Sequence, residues 1–300
     1  MRKRLPSPWK KRFFTWPISG VMAWFAYHLI GVFPIDLGSA VLGKLFRFIG
    51  PQLPISKRAR IHMRTCFPSW NEIDLEANVR DMWENLGRAA AEFPHIQNLD
   101  VSGRDKRVEV IGVEHIHSLR DDGKPGIVFS AHLGNWELLP MLAHPNGLDM
   151  HFVYRALNSP LAEKVLRRHY NKLSERLIPK GREGAIQMAH VLRDGGHLAI
   201  MVDQKLNEGL DIPFFGKPAK TSTALASFAL RHKCPVVPAR VERLSGANFR
   251  VTFYPAINLP NSGVTQADLV ELLTQVNKQI ESWIRDTPSQ WLWLHRRWGK

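Results

Sequence analysis

Three hundred residues, 44% apolar and 10% aromatic, can build one large domain with a substantial core, and no repeat or low-complexity stretch points to a fibrous or disordered chain. The charge is the informative bulk property: 41 Lys+Arg against 27 Asp+Glu leaves +14, which favours an anionic partner such as a phosphorylated lipid, an anionic membrane surface, an acidic carrier protein or a nucleic acid. Two cysteines far apart in apolar surroundings, Cys66 and Cys234, exclude a cysteine metal cluster, give no support to a disulfide and read as buried thiols in a reducing compartment.

The chain begins with a basic segment, 1–12, that holds six Arg and Lys residues and no acid. Residues 13–33 then run 21 positions without a formal charge, and as a helix they would extend roughly 30 Å, about the hydrocarbon thickness of a bilayer. No small-residue cleavage site follows cleanly and the run exceeds a signal-peptide core, so an N-terminal membrane-anchoring helix is expected. Pro17, Ser19, Gly20, His28 and Gly31 dilute it, which favours attachment over a full crossing. The positive-inside rule would hold 1–12 in the cytoplasm. Next, 37–49 places Leu37, Val41, Leu42, Leu45, Phe46 and Ile49 along one helical side with Lys44 and Arg47 elsewhere. That pattern fits an amphipathic helix lying on a membrane surface or a core helix of the same domain.

Residues 55–68 and 71–93 read as helices, the second opening with Glu72 and Asp74 where the helix dipole favours acids. A strand of alternating type follows at 107–112 and a buried one at 126–130. Beyond them come a strand at 150–154, helices at 160–177 and 183–193, a strand at 197–202, a helix at 222–232, strands at 236–242 and 249–255, and a helix at 266–285. Strands separated by helices of this length imply a mostly parallel central sheet flanked by helices, the α/β class.

The stretch 126–139, GIVFSAHLGNWELL, reads as strand, tight turn and helix. It sets His132 on the turn and Glu137 in the first helical turn, where a carboxylate can reach back to one imidazole nitrogen and leave the other facing a substrate, as a general base requires. The His-x4-Asp/Glu spacing occurs twice, at His95 with Asp100 and at His132 with Glu137, and only the second follows a buried strand. Because ligands of such sheets bind outside the carboxyl ends of the strands, the residues just past each strand end matter: His132, then Arg155, then Asp203 with Gln204. Taken singly, Arg155 could be a surface ion pair and Asp203 a helix cap or turn residue; three polar sites at three strand exits point to one crevice.

The segments HLGNWE, VYRALNSP, MVDQKLNEGLDIPFFGKPAKTSTALASFALRHKCPVVPARVER and the ending QWLWLHRRW resemble the late acyltransferases of lipid A biosynthesis, the lauroyl or myristoyl transferases of Gram-negative bacteria. The DQK…PFFG block looks most like the alphaproteobacterial branch. The resemblance runs over nearly the whole chain and implies a transferase of the glycerolipid acyltransferase superfamily. Residues 1–50 would be basic N-terminus, anchor and amphipathic helix, and 51–300 a single catalytic domain. The implied reaction moves a fatty acyl group from acyl carrier protein to the hydroxyl of a hydroxyacyl chain on a Kdo-bearing, phosphorylated lipid A precursor, on the cytoplasmic side of a bacterial inner membrane. The family's catalytic dyad falls on His132 and Glu137, the arginine of its YR block on Arg155, the aspartate of its DQ block on Asp203, and the branch-variable position beside it on Gln204.

The residues agree with that chemistry. A thioester is already activated, so His132 need only deprotonate the attacking hydroxyl while Glu137 orients it, and the oxyanion needs donors from the Gly134 and Asn135 backbone or from Arg155. No acyl-enzyme, cofactor or metal is required; Ser130 is the only serine near enough to challenge direct transfer. Arg58, Arg60 and Arg64, the Arg167–Arg168 pair and the Arg296–Arg297 pair are basic residues suited to an acidic carrier or a phosphorylated acceptor. Phe214 and Phe215 before Gly216 resemble a loop that could line an acyl channel, and as hydrophobic loop anchors they would look the same. Trp293 suits packing, and Trp298 suits a membrane interface. Rival readings are the same mechanism on another lipid acceptor (a lysophospholipid, a glycolipid or an ornithine lipid), a metal hydrolase, for which there is no HExxH or ligand-rich cluster, and a basic membrane or nucleic-acid binder, which leaves the strand-exit residues unexplained.

Overall fold

A computed structural model describes residues 16–99, 107–143, 146–170 and 176–299. The strands are β1 (Val108–Ile111), β2 (Gly126–Ser130), β3 (Met150–Tyr154), β4 (Leu177–Pro179), β5 (His197–Met201), β6 (Leu210–Phe214), β7 (Lys217–Thr221), β8 (Val236–Ser245) and β9 (Asn248–Phe253). Seven form one sheet in the order β1-β9-β8-β2-β5-β3-β4, and β6 and β7 make a separate hairpin. Strands β8, β2, β5, β3 and β4 run parallel; β9 returns antiparallel to β8, and β1 pairs parallel with β9. The α/β class and the mostly parallel sheet are therefore as expected.

Strand β2 sits near the centre, where both faces are covered, which is why its sequence is a continuous apolar run rather than an alternating one. Ile127 and Phe129 enter the core on one side, and Val128 the core on the other. The first core takes residues from α3 (Ser56–Cys66), α4 (Glu72–Glu92), α8 (Arg182–Arg193), α9 (Ala224–His232) and α10 (Thr265–Asp286), whose Trp283 stacks on Phe129 with ring centroids 6.0 Å apart. The second core is closed by α5 (Val113–Asp121) and α6 (Leu139–Ala143). Helix α4 begins where Asn71 accepts the Asp74 N–H at 2.9 Å. Both cysteines are buried and free, and burial pushes the Cys66 thiol up to about 12.

Two expectations give way, one to a strand too short to read and one to a hairpin whose prolines read as loop. The helix expected over 160–177 is α7 (Pro160–His169), and Leu177 already belongs to β4, a three-residue strand too brief to show alternation. The expected channel loop at Phe214 is the β6–β7 hairpin, turned by Phe215 and Gly216 at φ 51° and 68°, both in the left-handed region that a two-residue I′ turn needs. Both phenylalanines are buried, and neither lines the cavity described below. Trp298 packs on this hairpin: its ring stacks on Phe214 at 5.4 Å and its indole N–H donates to the Phe214 carbonyl. Arg297 is wholly buried, donating to the Lys220 carbonyl and to Thr221 and Asn277, so it is no surface contact for an anion.

The expected N-terminal anchor does not take the form of a spanning helix. Helix α1 (Trp16–Gly31) has 16 residues, about 24 Å at 1.5 Å per residue, and Pro34 separates it from α2 (Ile35–Ile49). No helix among the described residues is long and apolar enough to cross a membrane; the basic segment 1–12 lies outside the described residues. Gly20 lets α1 approach α7 so closely that a Cβ there would stand 2.7 Å from that of Leu161. Helix α2 packs on α4 through its small residues Gly38, Ser39 and Gly43, and turns Val41, Leu45 and Phe48 outward at 52%, 47% and 75% exposure. An ordinary surface helix does the reverse.

Candidate active site

The catalytic candidates sit on the turn that leaves β2. Gly134 takes φ 57°, and a Cβ there would stand 2.7 Å from the Val241 carbonyl oxygen, so only glycine fits. A strand-like piece of the C-terminal segment docks on this turn: Leu133 bridges Trp291, the His132 carbonyl accepts the Leu292 N–H at 3.1 Å, and the Gly134 N–H donates to the Gln290 carbonyl at 3.1 Å. That docking corrects one expectation. The Gly134 N–H is spent, and neither Gly134 nor Asn135 lines the cavity described below, so this turn does not offer the oxyanion donors foreseen there.

Asp203, just past β5, is the carboxylate that holds His132. Its Oδ1 lies 2.8 Å from Nδ1 of His132, while Oδ2 accepts the His132 backbone N–H at 2.9 Å and the Trp291 indole N–H at 2.8 Å. Burial alone would raise the Asp203 pKa; the His132 charge and these hydrogen bonds outweigh it and hold the carboxyl well below the usual range. With Asp203 ionised, Nδ1 carries the proton and Nε2 presents a lone pair, which the Gln204 amide meets at 3.3 Å.

Glu137 faces the same space and was expected to make the contact that Asp203 makes. Its oxygens instead accept from the Trp136 indole N–H at 3.1 Å and from the Tyr170 hydroxyl. The short 3-10 turn Trp136–Leu138 aims the side chain across the cavity rather than back along the chain. Burial pushes its pKa up to about 7, partly offset by the His132 charge and the Trp136 hydrogen bond.

His132, Glu137 and Gln204 open on a cavity of about 360 Å³, within the usual range for ligand pockets. Its far walls are apolar and aromatic, including Ile116, Leu142, Phe152, Leu166 and Phe253; Arg155 and Lys180 stand among its polar lining. Arg155 is exposed and makes no ion pair among the described residues. The Ser130 Oγ on the wall is buried without a hydrogen-bond partner, so no base activates it. The residues described hold no cluster of His, Cys, Asp and Glu fit for a metal.

The family of bacterial lipid A biosynthesis acyltransferases matches this chain over residues 10–300. The chain belongs to that family. It is 24% identical to a lipid A biosynthesis acyltransferase of Haemophilus influenzae over 276 residues, covering 90% of this chain and 84% of the relative. It is 23% identical to the lipid A biosynthesis myristoyltransferase of Escherichia coli K12, covering 88% and 82%, and 25% identical to the lauroyltransferase of the same organism, covering 94% and 90%. A crystal structure of a 1-acyl-sn-glycerophosphate acyltransferase from Thermotoga maritima overlaps 95% of this chain and 99% of its own at 11% identity and TM-score 0.37, too distant a likeness to support a conclusion.

This protein is thus an acyltransferase of lipid A biosynthesis. Of the residues picked from its sequence, the fold gathers His132, Glu137, Arg155 and Gln204 around one cavity with Asp203 behind the imidazole, and it turns Gly134 and Asn135 away. Lys180, Tyr170 and His295 were missed. Lys180 follows β4, the strand too short to read, so its place at a fourth strand exit was hidden. His295, which accepts the Lys205 N–H at 3.1 Å, comes from the far end of the sequence, where no local pattern links it to residue 132.

Proposed function

We propose that this acyltransferase takes a fatty acyl group from acyl carrier protein thioester and transfers it directly to the hydroxyl of a hydroxyacyl chain on a Kdo-bearing, phosphorylated lipid A precursor, at the cytoplasmic face of a bacterial inner membrane. The observation that carries the reading is the imidazole at an apolar cavity, anchored at Nδ1 by a buried aspartate and free to accept a proton at Nε2.

The acceptor hydroxyl takes the place of the Gln204 amide at Nε2. As its oxygen attacks the thioester carbonyl carbon, its proton passes to Nε2, and Asp203 stabilises the imidazolium. The carbonyl becomes an oxyanion beside Arg155 and Lys180, whose charges would be worth roughly 3–4 kcal/mol if well aimed. Collapse breaks the carbon–sulfur bond, and the leaving thiolate takes the proton back from His132. Glu137, within electrostatic reach of His132, bounds the acceptor side of the cavity and adds negative charge beside the imidazolium when ionised.

The outward apolar faces of α1 and α2 support attachment to a membrane surface, and the net charge of +14 supports capture of an acidic carrier and a phosphorylated acceptor. The test is acyl transfer in purified membranes from labelled acyl carrier protein thioester to the Kdo-bearing precursor. Transfer by wild type and none by His132→Ala at equal protein level is the expected result. Acylation of a different lipid alone would remove the proposed acceptor and keep the base.

A further inference from the structure

Behind the catalytic turn lies a buried polar cluster that acyl transfer does not touch, since none of its members lines the cavity. Glu92, the last residue of α4, is wholly buried. Its Oε1 accepts from the Ser39 hydroxyl of α2 at 2.7 Å and from Arg243 Nη1; its Oε2 accepts from Arg243 Nη2 at 2.9 Å and from the Asn135 amide at 2.8 Å. The Arg243 Nε–H donates in turn to the Asn85 side-chain oxygen at 2.9 Å, and the Asn85 amide donates to the Gly134 carbonyl at 3.1 Å and the Gln290 carbonyl at 3.3 Å. Seven residues, two helical turns, separate Asn85 from Glu92, which places both on one face of α4.

An apolar replacement of a buried carboxylate–guanidinium pair is often neutral or stabilising, so stability alone is a poor reason for one. What distinguishes this pair is what it holds. Through Asn135 and Asn85 it grips the turn 132–135, and through Asn85 and the Arg243 main chain, which exchanges two hydrogen bonds with the Gln290 side chain at 2.8 Å each, it grips the segment docked on that turn. We propose that Glu92 is a positioning residue for acyl transfer: paired with Arg243, it fixes the turn so that the His132 ring stays on Asp203 with Nε2 aimed into the cavity. The proposal rests on the reading of His132 as the base. Displacement of a reacting group by about 1 Å can cost on the order of 100-fold, so a clamp three residues from His132 bears directly on turnover.

The test measures kcat, KM and the thermal midpoint of the full chain for Glu92→Gln, Glu92→Asp, Asn135→Ala, His132→Ala and the Asn135→Ala/His132→Ala pair. Positioning predicts that Glu92→Gln and Asn135→Ala each lower kcat about tenfold or more with KM within about twofold, that Glu92→Asp restores part of the loss, and that Asn135→Ala costs less than about twofold once His132 is gone, because it acts through that ring. If Glu92→Gln does not fold, Asn135→Ala, which leaves the Glu92–Arg243 pair intact, decides. Wild-type kcat in Asn135→Ala, or an undiminished loss in the His132→Ala background, overturns the positioning role while His132 stays the base. Full activity in His132→Ala removes the base and this proposal with it.

Discussion

The outer face of α2 and the crevice at the strand ends invert the usual burial rule in opposite senses. Helix α2 hides two glycines and a serine and exposes Val41, Leu45 and Phe48, whereas the crevice draws Asp203, His132 and Glu137 inward among apolar walls. In the crevice Asp203, His132 and Glu137 each have hydrogen-bond partners, and their arrangement sets proton positions; Asp203 alone accepts three hydrogen bonds. On α2 the large apolar side chains face away from α4 because small residues occupy the seat against it, and the membrane surface proposed above is what would cover them. Buried polar groups are ordinarily partnered, as Arg297 is, so what sets the crevice apart is that its polar groups open on a cavity.

The largest expected effects test the crevice half of this contrast. His132→Ala should lower kcat by about 10³–10⁴-fold, and Asp203→Asn by about 10²–10³-fold, because the amide can hold Nδ1 in the wrong tautomer and cannot stabilise the imidazolium. Glu137→Gln should cost less than Asp203→Asn, since Asp203 is the carboxylate on the ring. A Glu137→Gln loss as deep as that of His132→Ala would reverse the order of the two carboxylates and return the orienting role to Glu137.

That pair of residues also measures how far the crevice could be read from the sequence. The strand, the turn and His132 were legible because an apolar run followed by the small residues Ser130, Ala131 and Gly134 is local information. Asp203 was legible as a strand-exit residue but not as the partner of His132, because the contact spans 71 positions and depends on β5 lying beside β2. The helical spacing of α2 was legible too, yet not the direction it faces: Leu42 and Phe46 turn partly inward and Leu37, Val41 and Leu45 outward, a choice made by the glycine seam against α4. The hairpin β6–β7 and strand β4 stayed hidden, the first behind two prolines that read as loop and the second by its length.

The α2 half is tested by binding. Leu45→Gln with Phe48→Gln removes two side chains that a membrane would bury, each worth about 1.5–3 kcal/mol, so the double variant should partition onto anionic vesicles at least 100-fold more weakly in co-sedimentation. Its thermal midpoint in detergent should stay near that of wild type, because neither side chain is buried in the fold. A large loss of stability with unchanged partitioning would make α2 an ordinary packed helix.

A smaller effect should come from salt. Raising ionic strength from about 0.05 to 0.5 M shortens the Debye length from about 14 to about 4 Å, so kcat/KM for the carrier-bound donor should fall several-fold while kcat changes little. Several of the arginines noted from the sequence are already engaged within the fold, Arg60 with Glu76, Arg64 with Glu72 and Arg167 with Glu163. Steering therefore falls to unpaired cations such as Arg155, and Arg155→Ala should reduce the salt dependence. A salt-insensitive kcat/KM would remove electrostatic capture.

The smallest effect reads stability rather than turnover. Glu137 has its folded pKa raised by burial to about 7, from 4.5. The folded state thus binds its proton more tightly than the unfolded chain does, and this residue's contribution to stability is fully present below about pH 4.5 and lost as pH rises through 7. Glu137→Gln removes the ionisation and keeps an acceptor for the Tyr170 hydroxyl. The variant should therefore melt a few degrees above wild type at pH 8, with the gap closing at pH 5. Asp203→Asn should show the opposite sign, because the depressed Asp203 carboxyl stabilises the fold above the ordinary carboxylate range and loses that contribution only as pH falls toward its folded pKa. Parallel pH profiles for the two variants would mean that the two carboxylates share one environment, which their different partners in the crevice argue against.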